Sequence, residues 1–228
     1  RPGFGASPSF DGTTSGQVTY DAGLRKHMLS IYNYMASGVL LTGSVALLFA
    51  RSGLAAQIMM GGGPLKWLII LAPLAIVFGM SFGANRFSAG ALQAMFWGFA
   101  TLMGLSMSTI FLVYTGQSIA TTFFATAAAF AGLSLVGYTT KKDLTGMGSF
   151  LTMGLIGIIV AMVINIFLQS TVLQLAVSIL GVLIFAGLTA YDTQRLKNEY
   201  AYLAGTQFAG KAVILGALSL YLDFINMF

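Results

Sequence analysis

Seven apolar stretches follow one another along this chain with little between them, at 28–50, 67–84, 89–113, 118–138, 147–169, 171–191 and 208–228. A helix that crosses the hydrocarbon core of a bilayer needs about 20 predominantly apolar residues, and the stretches have that length. They predict an all-α membrane protein, a bundle of seven transmembrane helices spanning 24–228. Residues 1–23 are rich in Gly, Ser, Thr and Pro without apolar periodicity, and predict a flexible polar N-terminal tail.

Composition excludes the soluble alternative. Hydrophobic residues make up 57% of the 228 and charged residues 7%, against about 25% charged in soluble domains. The net charge of +5 does not point to nucleic acid, because the basic residues are scattered singly or in pairs with no basic face to track phosphates. With zero cysteine, thiolate metal sites and cysteine nucleophiles are excluded. One histidine and no metal-ligand cluster argue against an enzyme, and no cofactor is expected. Lys211, at the entrance of the last span rather than within it, argues against a retinal-type photoreceptor. The chain begins at Arg1 rather than Met and stops at Phe228 without a polar flank, so both natural termini are expected to lie beyond it.

The placement of Lys and Arg predicts orientation. Arg1, Arg25, Lys26, Arg86, Lys141, Lys142, Arg195, Lys197 and Lys211 fall on the side of the N-terminus, and only Arg51 and Lys66 on the other. The positive-inside rule then puts the N-terminus in the cytoplasm. Gly79 and Gly83, and the Ala100, Gly104, Ser108 series, have the spacing that lets membrane helices approach closely; packing within one bundle is the simpler reading, a dimer face the other.

Six acidic residues occur in the whole chain. Asp11, Asp21, Asp143 and Glu199 read as solvated charges in tail or loops. Asp223 lies inside an apolar run, where an ionised carboxylate costs about 2.5–3.5 kcal/mol even on lenient insertion scales. Gly216, Ser219, Asp223 and Asn226 share one helical face, which must point into the bundle because lipid offers it no partners. Thr189 and Asp192 share a face of the sixth span. If the two faces meet, two poorly solvated carboxyls tend to share one proton and titrate as a pair. Two full charges about 4 Å apart would repel by about 4 kcal/mol at an effective dielectric near 20, which makes a pH switch. The competing reading is a structural Asp bonded to Ser, Thr or a backbone carbonyl. His27 reads as a charged membrane flank, Asn165 as interhelical glue, and Arg86 as an anchor in preference to a counter-ion.

The segments Gly187-Leu-Thr-Ala-Tyr-Asp-Thr-Gln194 and Gly216-Ala-Leu-Ser-Leu-Tyr-Leu-Asp-Phe-Ile-Asn-Met-Phe228 resemble the transmembrane Bax inhibitor motif family. Thr140-Lys-Lys-Asp-Leu144 and Ile164-Asn-Ile-Phe167 are similar to its fourth loop and fifth span. The resemblance covers roughly 24–228. It implies a seventh helix buried centrally among the other six, a bacterial inner-membrane location, and a pH-sensitive calcium leak. The family's gating aspartates fall at Asp192 and Asp223. Ser219, Asn226, Thr189 and Arg86 are expected as accessory polar lining. Two features depart from the family pattern: span 67–84 has no acidic residue, and Arg86 matches the family's basic partner only loosely. Calcium wants six to eight oxygens, more than the pair supplies, so Asp192 and Asp223 are expected as transient ligands only. The resemblance also implies a rival reading, a modulator that binds a membrane-bound quality-control protease through the polar tail.

Overall fold

The computed structural model describes residues 12–228, with side chains from Val18 onward. It contains α1 (Gly12–Arg51), α2 (Leu54–Met60), α3 (Pro64–Gly83), α4 (Ala89–Met107), α5 (Ile110–Val113), α6 (Gly116–Thr139), α7 (Thr145–Leu168), α8 (Thr171–Leu203) and α9 (Ala209–Met227). Among the described residues seven segments are long and apolar enough to cross a membrane, α4 and α5 together making the third. The expected seven-helix bundle is therefore present.

Polar residues punctuate the apolar runs at the helix starts. Ser88, Thr115 and Ser170 accept from the backbone N–H three residues on, at 3.1, 3.2 and 3.2 Å, satisfying donors that a first turn leaves orphaned. Asn165 serves the turn between α7 and α8, its Oδ1 accepting from the Ser170 N–H at 2.9 Å. It is a local cap rather than glue between helices, because a turn placed five residues later offers an unpaired N–H within reach.

The last span is central, as expected. In α9, 56% of the membrane window is buried inside the protein, against 28% at most in any other span. It packs on α1, α4, α6 and α8. Tyr221 anchors it, packing edge-on against Phe99 and Phe96 with ring centroids 5.0 and 6.2 Å apart. The Tyr221 hydroxyl donates to Thr42 at 2.6 Å and Thr42 donates to the Ala100 carbonyl at 2.8 Å. One polar chain thus ties α9, α1 and α4 together, in a setting where unpaired groups are costly.

Small residues set the closest approaches. A Cβ at Gly104 would meet the Thr42 carbonyl and Val45 on α1, and one at Gly137 would strike the Ala190 backbone on α8. The small-residue face of α4 is therefore consumed inside the bundle, as the simpler reading expected.

Three sequence expectations need correction. Helix α1 starts at Gly12, so 12–23 is helical rather than flexible tail; residues 1–11 of that tail lie outside the described residues. The extension has a tertiary cause: Tyr20 and His27 pack on Tyr200 with centroids 5.4 and 5.1 Å apart, and Leu24 is buried. His27 is accordingly buried, not an exposed flank. Helix α8 carries the helical pattern expected through Arg195 and Lys197 on to Leu203, which puts Glu199 on a helix rather than in a loop.

Candidate gating site

Helices α8 and α9 form an antiparallel pair joined by a short connection, and their two buried acids meet. Asp192 is 6% and Asp223 4% exposed. Both acids line one cavity between the helices, and Asp223 Oδ2 is buried without a hydrogen-bond partner among the described residues.

Asp192 is held from two sides. Ser219 of α9 donates to Oδ2 at 2.7 Å, and Arg195, one turn on in α8, reaches Oδ1 at 3.1 Å. The same guanidinium donates to Ser219 at 3.1 Å, closing a triangle across the two helices. Glu199 lies 3.5 Å from Arg195 Nε, an ionic contact without a hydrogen bond. Arg195 thus sets a positive charge against the buried Asp192 carboxylate, the pairing that lets a charge stay in a poorly solvated interior.

The cluster opens onto a cavity of about 670 Å³ between α7, α8 and α9, lined by Asp192, Asp223, Arg195, Ser219 and Asn226. Arg195, half-buried here, is the counter-ion that sequence reasoning assigned to the membrane flank. Its signal was the i, i+3 spacing from Asp192, which places both on one helical face. Arg86 instead sits exposed in the turn after α3, without an ion pair to either aspartate among the described residues. That turn is closed by Lys211, whose Nζ donates to the Ala84 carbonyl at 3.2 Å. Asn226 is exposed to the cavity rather than buried, because its amide bonds back to the Leu222 carbonyl at 2.8 Å. Thr189 is fully buried and spends its hydroxyl on Phe185 of its own helix, which keeps it out of the cavity lining.

The loop beside the site is clamped to α8. Gln194 donates to the Lys142 carbonyl and accepts from the Leu144 N–H, both at 2.8 Å. Lys197 donates to the Tyr138 carbonyl at 2.7 Å. In the same loop Asp143 accepts from the Thr145 hydroxyl at 2.6 Å and its N–H at 2.9 Å. Those bonds hold the Asp143 carboxyl below its ordinary value, the hydroxyl contributing most.

Comparison with known proteins identifies the architecture. The family model described as inhibitor of apoptosis-promoting Bax1 matches residues 24–228, which includes every helix that builds the site. The chain belongs to the Bax inhibitor-1 family. Relatives of this Bax inhibitor-1 family chain include the inner membrane protein YbhL of Escherichia coli K12, 46% identical over 209 residues, covering 91% of this chain and 89% of YbhL. An uncharacterized protein of Caulobacter vibrioides is 47% identical over 222 residues, covering 92% and 88%. Protein RP147 of Rickettsia prowazekii is 46% identical over 217 residues, covering 95% and 91%. The Bax inhibitor-1 family chain is an integral, multi-pass membrane protein.

Proposed function

We propose that this protein is a pH-sensitive cation leak, with calcium as the permeant ion, gated by Asp192 and Asp223. The observation that carries the reading is that two buried acids, Asp192 of α8 and Asp223 of α9, line one cavity between helices. The groups around it are few. Helix α8 contributes Asp192, Arg195 and, through Arg195, Glu199, and also Tyr191 at the cavity wall. Helix α9 contributes Asp223 and Ser219, and the α7 wall residues include Thr152, Ile158 and Met162, none of which is charged.

The sign of the switch follows from charge. While one proton is shared, the pair and Arg195 balance and α8 and α9 stay together. Loss of that proton leaves two negative charges against one positive, and about 4 kcal/mol of repulsion at 4 Å and an effective dielectric near 20 favours separation. The same event makes the site attractive to a divalent cation. Two carboxylates with Ser219, Asn226 and water approach the oxygen coordination calcium takes, without three acidic or imidazole groups in one place among the described residues. Such a site suits an ion that binds briefly and leaves. Flux is thus expected to rise with pH.

The reading includes a non-enzymatic role; it also includes an N-terminus on the cytoplasmic side, which the nine-to-two split of Lys and Arg supports. The test is purified protein in liposomes loaded with a calcium dye, with influx followed across pH. Influx that increases from acidic to neutral pH supports the leak. Absence of influx at every pH overturns it and favours the rival role as a protease modulator.

A further inference from the structure

A second cavity, of about 710 Å³, lies away from the aspartates in a crevice between α1 and α6, floored by α9. Its walls are apolar side chains, among them Met28, Met35, Val39, Phe123, Ala127 and Phe130. Two polar features break that lining. Arg25 stands at one end, exposed and without an ion pair among the described residues. Ser134 lines the crevice from α6, is 6% exposed, and its hydroxyl has no hydrogen-bond partner among the described residues.

We propose that this crevice binds one anionic phospholipid of the leaflet on the N-terminal side. Its phosphate sits on Arg25, an ester carbonyl accepts from the Ser134 hydroxyl, and one acyl chain fills the apolar part. Three observations lead to that occupant. A guanidinium with free donors matches phosphate geometry, and Lys26, Lys141 and Lys142 add positive charge at the same end of the bundle by chain order. A buried hydroxyl without a partner is uncommon in folded proteins, and in lipid the available acceptor is an ester oxygen. The length also fits. Ser134 and Phe123 are eleven residues apart on α6, about 16 Å at 1.5 Å per residue, which is half of a hydrocarbon core about 30 Å thick. The apolar run below the hydroxyl is thus as deep as one leaflet.

Packing explains why the space is left open. α1 is held by α4 and α9, and α6 by α8 and α9, so both outer helices are fixed by other partners and the crevice between them opens to lipid. Short side chains, Ala127 and Ala131 of α6 and Ala36 of α1, keep it wide. The proposal is independent of whether the protein conducts ions.

Native mass spectrometry of the full chain in detergent tests it, titrating with phosphatidylglycerol, phosphatidylcholine and diacylglycerol. The expected result is one retained phosphatidylglycerol per chain, held more tightly than phosphatidylcholine and far more tightly than diacylglycerol. Arg25→Gln should weaken phosphatidylglycerol by about fivefold. Ser134→Ala should weaken it by roughly threefold to tenfold while leaving the melting temperature unchanged, since the hydroxyl has no protein partner to lose. Ala127→Phe should block retention; if that variant does not fold, Ala131→Leu on the exposed wall of the crevice takes its place. Equal retention of phosphatidylglycerol and diacylglycerol, or retention that Ala127→Phe and Arg25→Gln leave unchanged, overturns the proposal.

Discussion

The Arg195 guanidinium lies 3.1 Å from the Asp192 carboxylate, one turn along α8, and bonds Ser219 of α9 at the same distance. One cation therefore serves both helices of the proposed gate, where its charge would offset that of an ionised carboxyl. Removing it with Arg195→Gln keeps the side-chain length and the hydrogen-bonding capacity but not the charge. The pH midpoint of calcium influx in liposomes should then move upward, by about one to three units. An unchanged midpoint would mean that Arg195 is electrostatically idle at the site.

Ser219 gives a separable test of position. Its hydroxyl donates to Asp192 at 2.7 Å and accepts from Arg195. Ser219→Ala removes a bond to a charged group, about 1.5–3 kcal/mol, without altering net charge. Influx at acidic pH should increase, because the closed pair loses a tie between α8 and α9. The pH dependence itself should remain. Loss of that dependence in Ser219→Ala would assign the switch to the hydroxyl network instead of the acids.

The aspartates were legible in the sequence because a charge inside an apolar run has a cost that demands a partner, and 223 and 192 each stood alone. The centrality of α9 came with the family resemblance, and a face of Gly216, Ser219 and Asp223 that lipid could not satisfy agreed with it. Arg195 was not legible as a counter-ion. The helical pattern was legible through Arg195, but an Arg at the end of a span also describes a snorkelling anchor, and the contact with Ser219 of α9 comes from tertiary packing. His27 and the end of the tail before it were misread for a related reason. Local composition there is polar and Gly-rich, while the contact that orders it comes from Tyr200, far along the chain.

Helix approach distances predict an asymmetry between glycines. A Cβ at Gly137 would collide with the Ala190 backbone, which cannot rotate away, whereas one at Gly98 would meet nothing within 4 Å. Gly137→Ala should destabilise by about 1–3 kcal/mol and weaken the α6–α8 contact. Gly98→Ala should hold or raise stability through helix propensity. Thermal unfolding in one detergent checks both, and equal shifts would contradict the packing described.

Asp143 supplies a pH effect outside the membrane. Its carboxyl is held below the ordinary aspartate value of 3.8, first by the Thr145 hydroxyl and then by the Thr145 N–H. A depressed folded value contributes stability that is present above the unfolded value and is lost as pH falls through the folded one. Local protection of the α6–α7 loop in hydrogen exchange should therefore weaken below about pH 4. Asp143→Ala should show that weaker protection already at neutral pH. Protection independent of both changes would remove Asp143 as the loop's anchor.

Repulsion between Asp192 and Asp223 is the proposed trigger, and it is tested by the pH profile of calcium influx in liposomes for Asp223→Asn and for the double variant Asp192→Asn/Asp223→Asn. The amide keeps the size and the hydrogen-bonding capacity of the acid but cannot supply the second negative charge. Both variants should fold, judged by thermal unfolding, and both should give influx that no longer changes with pH. If the double variant retains the parent's rise in influx with pH, the switch lies outside this pair and the account is contradicted.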